Sequence, residues 1–324
     1  MNKRICFDLS FRLKSINSEQ IKEFLEIFKY FETEKMKTKQ LTNGKYLKYS
    51  KNKLYDNIEK EIFVEERGEI TVKNESNRIT ILRERRNKNI LFFTITLTEE
   101  IYELNKKEIL NKVDSFMAKY NGISACAYSL KDMFWQENED LDYYKEEGKS
   151  IEGLHTKAGS RYNEIIVDIE YNPGHSHSET GIWFGSCWKM WFGKEYFKYI
   201  PKEKLLKFKD CYENIEIENE VIRITLHENI WDYEEQENIE KRWKYRKEME
   251  IDNIAHKLRD EYKEDENDPE IEINTGKFAS GGEREIIYYL DELGRTIPKS
   301  RAKKMVRMEM DSKGNILFKE EKEI

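Results

Sequence analysis

Residues 5–13 alternate between apolar side chains at odd positions and mostly polar ones at even positions. A period of two is typical of a β-strand with one buried face, because successive side chains of a strand point to opposite sides. Behind Ser18 the period changes, and apolar residues recur three and four positions apart: Ile21, Phe24, Leu25, Phe28 and Phe31. This spacing predicts an amphipathic helix with Ser18 as its N-cap.

The same two periods continue to residue 130. Short runs rich in β-branched residues and separated by turn residues predict strands at 61–65, 69–73, 78–83, 89–97 and 123–130. A second amphipathic helix begins after Thr98 and ends before Asn121-Gly122. The order β-α-β-β-β-β-α-β predicts an α+β fold, in which antiparallel sheets carry helices packed on one face.

The rest of the chain is less regular. Residues 131–160 are polar and irregular, and further on we expect strands at 163–171 and 181–192 and a long helix from 231 to about 262. Eight acidic residues between Asp260 and Glu272 predict a solvated linker. Strands at 284–290, 303–310 and 315–319, joined by hairpin turns, predict a small C-terminal β-meander.

These features predict three domains. An N-terminal α+β domain covers residues 1–135, and a second α+β domain with a Trp-rich central strand and the long helix covers 136–262. The meander forms the third, 273–324, after the acidic linker.

Composition narrows the class of protein. Of the 324 residues 13% are aromatic, which excludes general disorder, and no apolar run approaches the roughly 20 residues of a membrane span. The N-terminus has a basic start, but Asp8 and Arg12 interrupt any signal-peptide core. Four widely spaced cysteines, without a C-x-x-C pair, indicate buried structural thiols in a reducing compartment. We therefore expect a soluble cytoplasmic protein, and its Lys-, Glu-, Asn- and Ile-rich composition is typical of a low-GC bacterial or phage genome.

The densest group of reactive residue types lies in 168–179. His175 and His177 are separated by one residue, so both imidazoles could reach one divalent metal, and Asp168 and Glu170 could add oxygen ligands from one face of the preceding strand. A bound metal would activate water for hydrolysis. The alternatives are an exposed hairpin loop and a pH-sensitive contact.

Residues 181–193 carry three tryptophans, Trp183, Trp188 and Trp191. Large apolar residues on both faces predict a central core strand, whereas Trp enrichment is also typical of binding surfaces. Both interpretations stay open. Cys187 lacks any base that sequence could place beside it, and a nucleophilic thiol needs one.

Two runs are basic and free of acids. Residues 35–53 contain seven lysines, and residues 295–307 contain six basic side chains. In the first run, lysines and tyrosines alternate in a way that could bind phosphates and stack on bases: Lys45, Tyr46, Lys48 and Tyr49. Against a nucleic-acid partner stand the net charge of −7 and the lack of a nucleic-acid-binding motif, so solvated loops are the alternative.

No Walker A, G-x-G-x-x-G, G-x-S-x-G or H-E-x-x-H signature occurs. In size, charge and the lack of a catalytic signature, the chain is similar to the acidic α+β immunity and antitoxin proteins of low-GC bacteria. This resemblance implies a non-enzymatic protein-binding factor that blocks or senses a protein partner in immunity, toxin neutralisation or phage conflict, without a cofactor. The alternative is a metal-dependent hydrolase or nuclease centred on His175 and His177.

Overall fold

Two units make up the computed structural model, Met1–Leu258 and Arg259–Ile324. It describes residues 3–64, 68–83, 89–159, 165–265, 270–292 and 294–324. The α-helices of these residues are α1 Ser18–Ile27, α2 Lys51–Tyr55, α3 Glu99–Lys119, α4 Leu130–Glu137, α5 Leu141–Glu146, α6 Lys202–Lys207, α7 Gln236–Met249 and α8 Ile251–Asp265.

The strands of the first unit include ten that share one antiparallel sheet within the described residues. They are β1 Arg4–Arg12, β2 Lys35–Thr38, β3 Leu47–Lys48, β4 Gly68–Lys73, β5 Arg78–Arg83, β6 Ile90–Thr98, β7 Ser124–Ser129, β12 Lys189–Phe192, β13 Glu213–Glu216 and β14 Ile222–Thr225. Their order across the sheet is β13-β14-β12-β7-β1-β6-β5-β4-β2-β3. Two small hairpins complete this set: β8 Thr156–Ala158 with β9 Ile165–Val167, and β10 His177–Glu179 with β11 Ile182–Phe184.

Strand β1 lies in the middle of this sheet, between β6 and β7. Its odd residues are buried on one face, which we call the first face, and Cys6, Asp8 and Ser10 lie on the second face. Helices α1 and α3 cover the first face, where the ring centroids of Phe24 and Phe93 are 4.6 Å apart. The alternation of residues 5–13 thus places the strand as predicted.

Helices α7 and α8 cover the second face over strands β7, β12 and β14. Met190 and Ile224 of that face share a core with Tyr245, Met249 and Ala255 of α7 and α8. Strands β7, β12 and β14 are therefore buried on both sides. Over β2 to β6 the second face carries mostly polar side chains, exposed or half-buried apart from Thr71 and the apolar Ile90 at the start of β6. We call the part of it formed by the following residues the open face: Lys35, Lys37, Lys48, Glu69, Thr71, Lys73, Arg78, Thr80, Leu82, Phe92, Thr94 and Thr96.

Two N-terminal predictions need correction. The cap of α1 is Asn17 instead of Ser18: its side chain accepts from the backbone N–H of Glu19 at 2.9 Å, and Gln20 returns a bond to the Asn17 N–H at 2.8 Å. The predicted strand at 61–65 is wrong, since Lys60–Val64 forms a π-helical turn. The cause is non-local, because the buried Glu61 carboxylate accepts from the backbone N–H groups of residues 40 and 41.

Three later predictions also differ from the structure. The long helix of residues 231–262 is two helices, because Glu250 adopts a left-handed conformation (φ 58°) between α7 and α8. The single strand at 181–192 is two strands, β11 and β12, which belong to different sheets. The strand at 163–171 is limited, within the described residues, to β9, and Ile169–Tyr171 forms a 3-10 turn.

The second unit is a meander of β15 Ile271–Thr275, β16 Arg284–Leu290, β17 Lys304–Met310 and β18 Ile316–Glu323, as far as its residues are described. Strand β15 begins inside the segment predicted as an acidic linker. The α+β class, the antiparallel sheets and the C-terminal meander are confirmed. Strands from both sides of the predicted boundary at 135/136 share the large sheet; the three-domain division stays a prediction.

Candidate functional site

His175 and His177 are buried, with 7% and 3% of their surface exposed, instead of lying in an exposed hairpin loop. Their ring centroids are 4.6 Å apart. The loop reaches this position because Gly174 packs closely on α4 and α7: a Cβ there would lie 2.6 Å from Cγ of Gln136 and 3.0 Å from Nη1 of Arg242. The two imidazoles are thus held together by the fold.

Each histidine faces a carboxylate from a helix far away in sequence. Nδ1 of His175 lies 3.1 Å from Oε2 of Glu137, and Nε2 of His177 lies 2.9 Å from Oδ1 of Asp252. Burial acts to raise the pKa of Glu137, but its bonds with His175 and Ser176 outweigh burial and lower the pKa below its ordinary value.

Asp252 has a second partner in Arg246, which bonds both of its carboxylate oxygens. The break at Glu250 makes this contact, because it turns the first residues of α8 back toward the last turn of α7. Burial acts to raise the pKa of Asp252, but His177 and Arg246 together lower it to about 2.

The two predicted acids of this site do not lie on one strand face, since β9 ends at Val167. Asp168 forms an ion pair with Lys157 at 3.0 Å, and Glu170 lies 3.4 Å from Nε2 of His256. The prediction that these two acids share one face of a strand is therefore wrong, and their role as metal ligands beside the histidines stays a prediction. No group of three or more His, Cys, Asp or Glu side chains in the described part of the chain has the arrangement of a metal site. What the arrangement provides chemically is two imidazoles, each oriented by an acid.

Below the loop lies a buried ion pair. Arg242 and Asp132 are 1% and 3% exposed, and the guanidinium bonds both carboxylate oxygens, at 3.1 Å and 2.5 Å. A pair of this kind holds α7 against α4.

The three predicted tryptophans do not form one surface. Trp188 and Trp191 are buried in the core between the first face and helices α1 and α3, which we call the first core. The indole N–H of Trp188 donates to the backbone O of His227 at 2.9 Å, and that of Trp191 donates to Asp114 at 2.6 Å. Trp183 is half-buried and lies on the β10–β11 hairpin. Of the basic run, Lys45, Tyr46 and Lys48 are exposed, whereas Tyr49 packs against the first core.

Trp183 lines a cavity that the sequence did not indicate. The cavity has a volume of about 280 Å³ and lies between the hairpin and the second face of β1, β5, β6 and β7. Its polar groups come from Asp8, Ser10, Thr94, Ser124 and Ser178, and its apolar groups include Leu82, Phe92 and Trp183. Gly185 leaves room for the indole here, because a Cβ would come within 2.6 Å of Cζ2 of Trp183.

Asp8 is partly open to this cavity and surrounded by protein otherwise. Its carboxylate accepts from Oγ1 of Thr94 at 2.6 Å and from the hydroxyl of Tyr128, and within the described ranges no cationic side chain pairs with it. Burial raises the pKa of Asp8, and the hydroxyl donors offset only part of this. The arrangement can accept hydrogen bonds from a small polar ligand or donate a proton to it. The one signal in the sequence was an acid at a polar position of a strongly apolar strand.

No helix of the described residues is long and apolar enough to span a membrane. No family model matches the chain. No curated protein matches it at a significant level. Among solved structures, a T6SS protein of Pseudomonas aeruginosa is similar over 69% of this chain and 65% of its own, less than two thirds of that structure, with a TM-score of 0.43 and 9% identity. A likeness that weak supports no argument about function.

Proposed function

We propose that this chain is a non-enzymatic, cytoplasmic protein-binding factor of the bacterial immunity, antitoxin or phage-conflict type, and that it binds an extended segment of its partner along strand β15. The observation that carries the proposal is the edge of β15, which has exposed apolar side chains and no second neighbour among the described strands. No cofactor is needed for this function.

Strand β15 is one edge of the meander, paired only with β16 among the described strands. Ile271 and Ile273 are 53% and 61% exposed, and the register places them beside Tyr288 and Ile286 on one face. Exposed backbone groups with alternate apolar side chains are the features that β-strand addition uses.

The opposite edge differs. Strand β18 also begins with apolar residues, but its second half is Lys319-Glu320-Glu321-Lys322-Glu323. Charged side chains, and lysine especially, protect an edge from pairing with another chain. This contrast favours β15 as the edge that accepts a strand.

The cytoplasmic location is supported by the cysteines. All four are free thiols, and Cys6, Cys126 and Cys187 are buried. Free thiols persist in reducing compartments.

The test is co-purification from the native host, with quantitative comparison of wild type, Ile271→Lys/Ile273→Lys and the single variant Ile316→Lys. Ile316 is also 53% exposed but lies on the opposite edge, so it is a matched control. We expect a specific partner with wild type and with the control, and its loss with the β15 variant. Wild-type protein that emerges alone in several growth states, or a partner that the β15 variant retains, would contradict the proposal.

A separate observation favours the alternative, a metal-dependent hydrolase or nuclease. The ring centroids of His175 and His177 are 4.6 Å apart, and each imidazole has an acid beside it. Its test is elemental analysis of the purified protein, with activity assays of wild type and of His175→Ala/His177→Ala. His155→Ala is a control, because His155 stacks on Tyr171. The absence of bound metal, together with no activity in added Mn, Zn or Mg, would exclude this function.

We also propose that the meander is separable from the rest of the chain. Limited proteolysis should then cut first near residues 262–282. Early cleavage within 182–192 would show instead that the Trp-rich segment is not core.

A further inference from the structure

The register of the sheet aligns four basic side chains on the open face. Lys48 lies opposite Lys35, Lys35 opposite Lys73, and Lys73 opposite Arg78, on the neighbouring strands β3, β2, β4 and β5. Neighbouring strands are about 4.8 Å apart, so the four Cα positions span about 14 Å. We call these four residues the basic row.

The row has no acidic partner within the described residues. The lysine of the next row on the same face differs: Lys37 forms an ion pair with Glu69 at 2.5 Å. Lys35, Lys48 and Arg78 are exposed, and Lys73 is half-buried. Like charges directly opposite one another destabilise a sheet, so the row costs stability.

An aromatic ring lies against the row. The Nζ atoms of Lys73 and Lys37 are 4.4 Å and 5.6 Å from the ring centroid of Tyr46. Such cation–π contacts hold the ring in place. The Tyr46 side chain is still 41% exposed, so part of the ring is available for stacking.

The rest of the open face extends from the row as a polar platform. Thr96 lies opposite Arg78, and Thr80 and Thr94 lie opposite one another in the next row. The hydroxyls of Thr80 and Thr96 can donate to phosphate or sugar oxygens, whereas the Thr94 hydroxyl already donates to Asp8. The only carboxylate among the open-face residues is Glu69, which Lys37 already neutralises.

We propose that the basic row binds the phosphates of a single-stranded nucleic acid and that Tyr46 stacks on one of its bases. A positive groove or stripe beside an exposed aromatic ring is the arrangement used for single strands, whose bases are free to stack. A duplex offers phosphates but no free base face to Tyr46. The net charge of −7 does not oppose this, because phosphates respond to the local field of the row. The inference is independent of the β15 edge.

The first experiment measures binding of a fluorescent single strand of about 12 nucleotides to the full chain, as a function of salt. Four neutralised phosphates predict a slope of log K against log salt of about −2.8, so that affinity falls about 50-fold from about 50 to 200 mM. Lys35→Gln/Lys48→Gln/Arg78→Gln should flatten the slope to about −0.7 and weaken binding more than about tenfold at the lower salt. The matched control, Lys14→Gln/Lys107→Gln/Lys131→Gln, removes the same charge from exposed lysines off the open face and should bind like wild type.

The second experiment tests the ring. Tyr46→Ala should weaken binding about 5- to 100-fold with an unchanged salt slope, whereas Tyr46→Phe, which keeps the stacking surface, should bind like wild type. Inorganic polyphosphate and a poly-glutamate peptide serve as competitors. The proposal is overturned if the row variant and its control bind alike, if the Tyr46→Ala variant binds like wild type, or if either competitor matches the single strand.

Discussion

Charged side chains are arranged in opposite ways around the loop that carries His175 and His177, which we call the histidine loop, and on the open face of the same unit. Around the loop, acids and bases alternate in space, in the pairs Glu137–His175, Asp252–His177, Asp252–Arg246 and Asp132–Arg242. On the open face four bases stand in a row without an acid, and Asp8, in the nearby cavity, stands without a base among the described residues.

The difference separates charges that hold the fold from charges that are available to a ligand. Removing one member of a buried pair leaves its partner uncompensated, which is strongly destabilising. Removing one member of a row of like charges reduces their repulsion and raises the free energy of unfolding. Substitutions in the two regions should therefore change stability with opposite sign.

The largest effect is expected for Asp132→Ala. The variant leaves the buried Arg242 guanidinium without its acid, so the free energy of unfolding should fall by about 3–5 kcal/mol. Urea denaturation at pH 7 measures this. Glu237→Ala is the control, since it removes an exposed i, i+4 pair with Lys241 and should cost no more than about 0.5 kcal/mol. Equal effects of the two substitutions would refute the structural role of the buried pair.

Asp252→Asn should have a smaller effect that depends on pH. The pKa of Asp252 falls from 3.8 to about 2 on folding, so its contribution is complete above the unfolded value and is lost as pH falls through about 2. About a third of the side chain is exposed, so after allowance for solvent screening we expect a loss of about 1–2 kcal/mol at pH 7. The stabilities of variant and wild type should converge as pH falls from about 4 to about 2. A loss that is constant with pH would mean that hydrogen bonding, instead of charge, holds Asp252.

Asp8→Asn should act in the opposite direction. Because the pKa of Asp8 is raised in the folded state, its contribution is most favourable below the unfolded value and is lost as pH rises through the folded pKa. The acid is therefore less favourable at pH 7 than at low pH, and the amide, which does not ionise, should stabilise the protein at pH 7 by about 0.5–1 kcal/mol, in the lower part of the usual range for stabilising substitutions. Thermal unfolding at pH 7 and pH 4 checks this, with the gain expected only at pH 7. An equal loss at both values would show that the bonds from Thr94 and Tyr128 dominate.

The smallest effect is expected for Lys35→Gln. This change removes one of the two inner charges of the basic row, between Lys48 and Lys73, so stability should rise by about 0.2–0.5 kcal/mol at low salt. At about 1 M salt, where the screening length is about 3 Å, the gain should vanish. Lys37→Gln is the matched control on the same strand and face, and it should gain nothing because it loses the ion pair with Glu69. A gain for both variants, or for neither, would remove the distinction between the row and its neighbour.

The sequence was sufficient for elements that have one buried and one exposed side. The alternation of residues 5–13, the spacing behind Thr98 and the turns of the meander each led to the observed element: β1, α3, and the hairpins of β16, β17 and β18. The spacing of apolar residues is a local property, so it can be recognised from the sequence of a single segment.

The predictions that were wrong depended on contacts made elsewhere. Residues 60–64 resemble a strand in sequence but form a π-helical turn, because the Glu61 carboxylate binds backbone N–H groups of the loop after β2. The long helix breaks at Glu250, where Asp252 turns to meet Arg246 and His177. The sequence around Glu61 and around Glu250 contains no pattern that predicts either contact.

What the sequence determined by itself was the α+β class, the faces of its regular strands and helices, and the presence of two histidines and an acid-free lysine run. Only the tertiary structure decided which groups meet. It paired His175 and His177 with Glu137 and Asp252, 38 and 75 residues away, and it added Lys73 and Arg78 to two lysines of the run. The physical reason is that a side chain's direction follows from its own backbone, whereas its neighbours follow from strand order and register, which long-range burial selects.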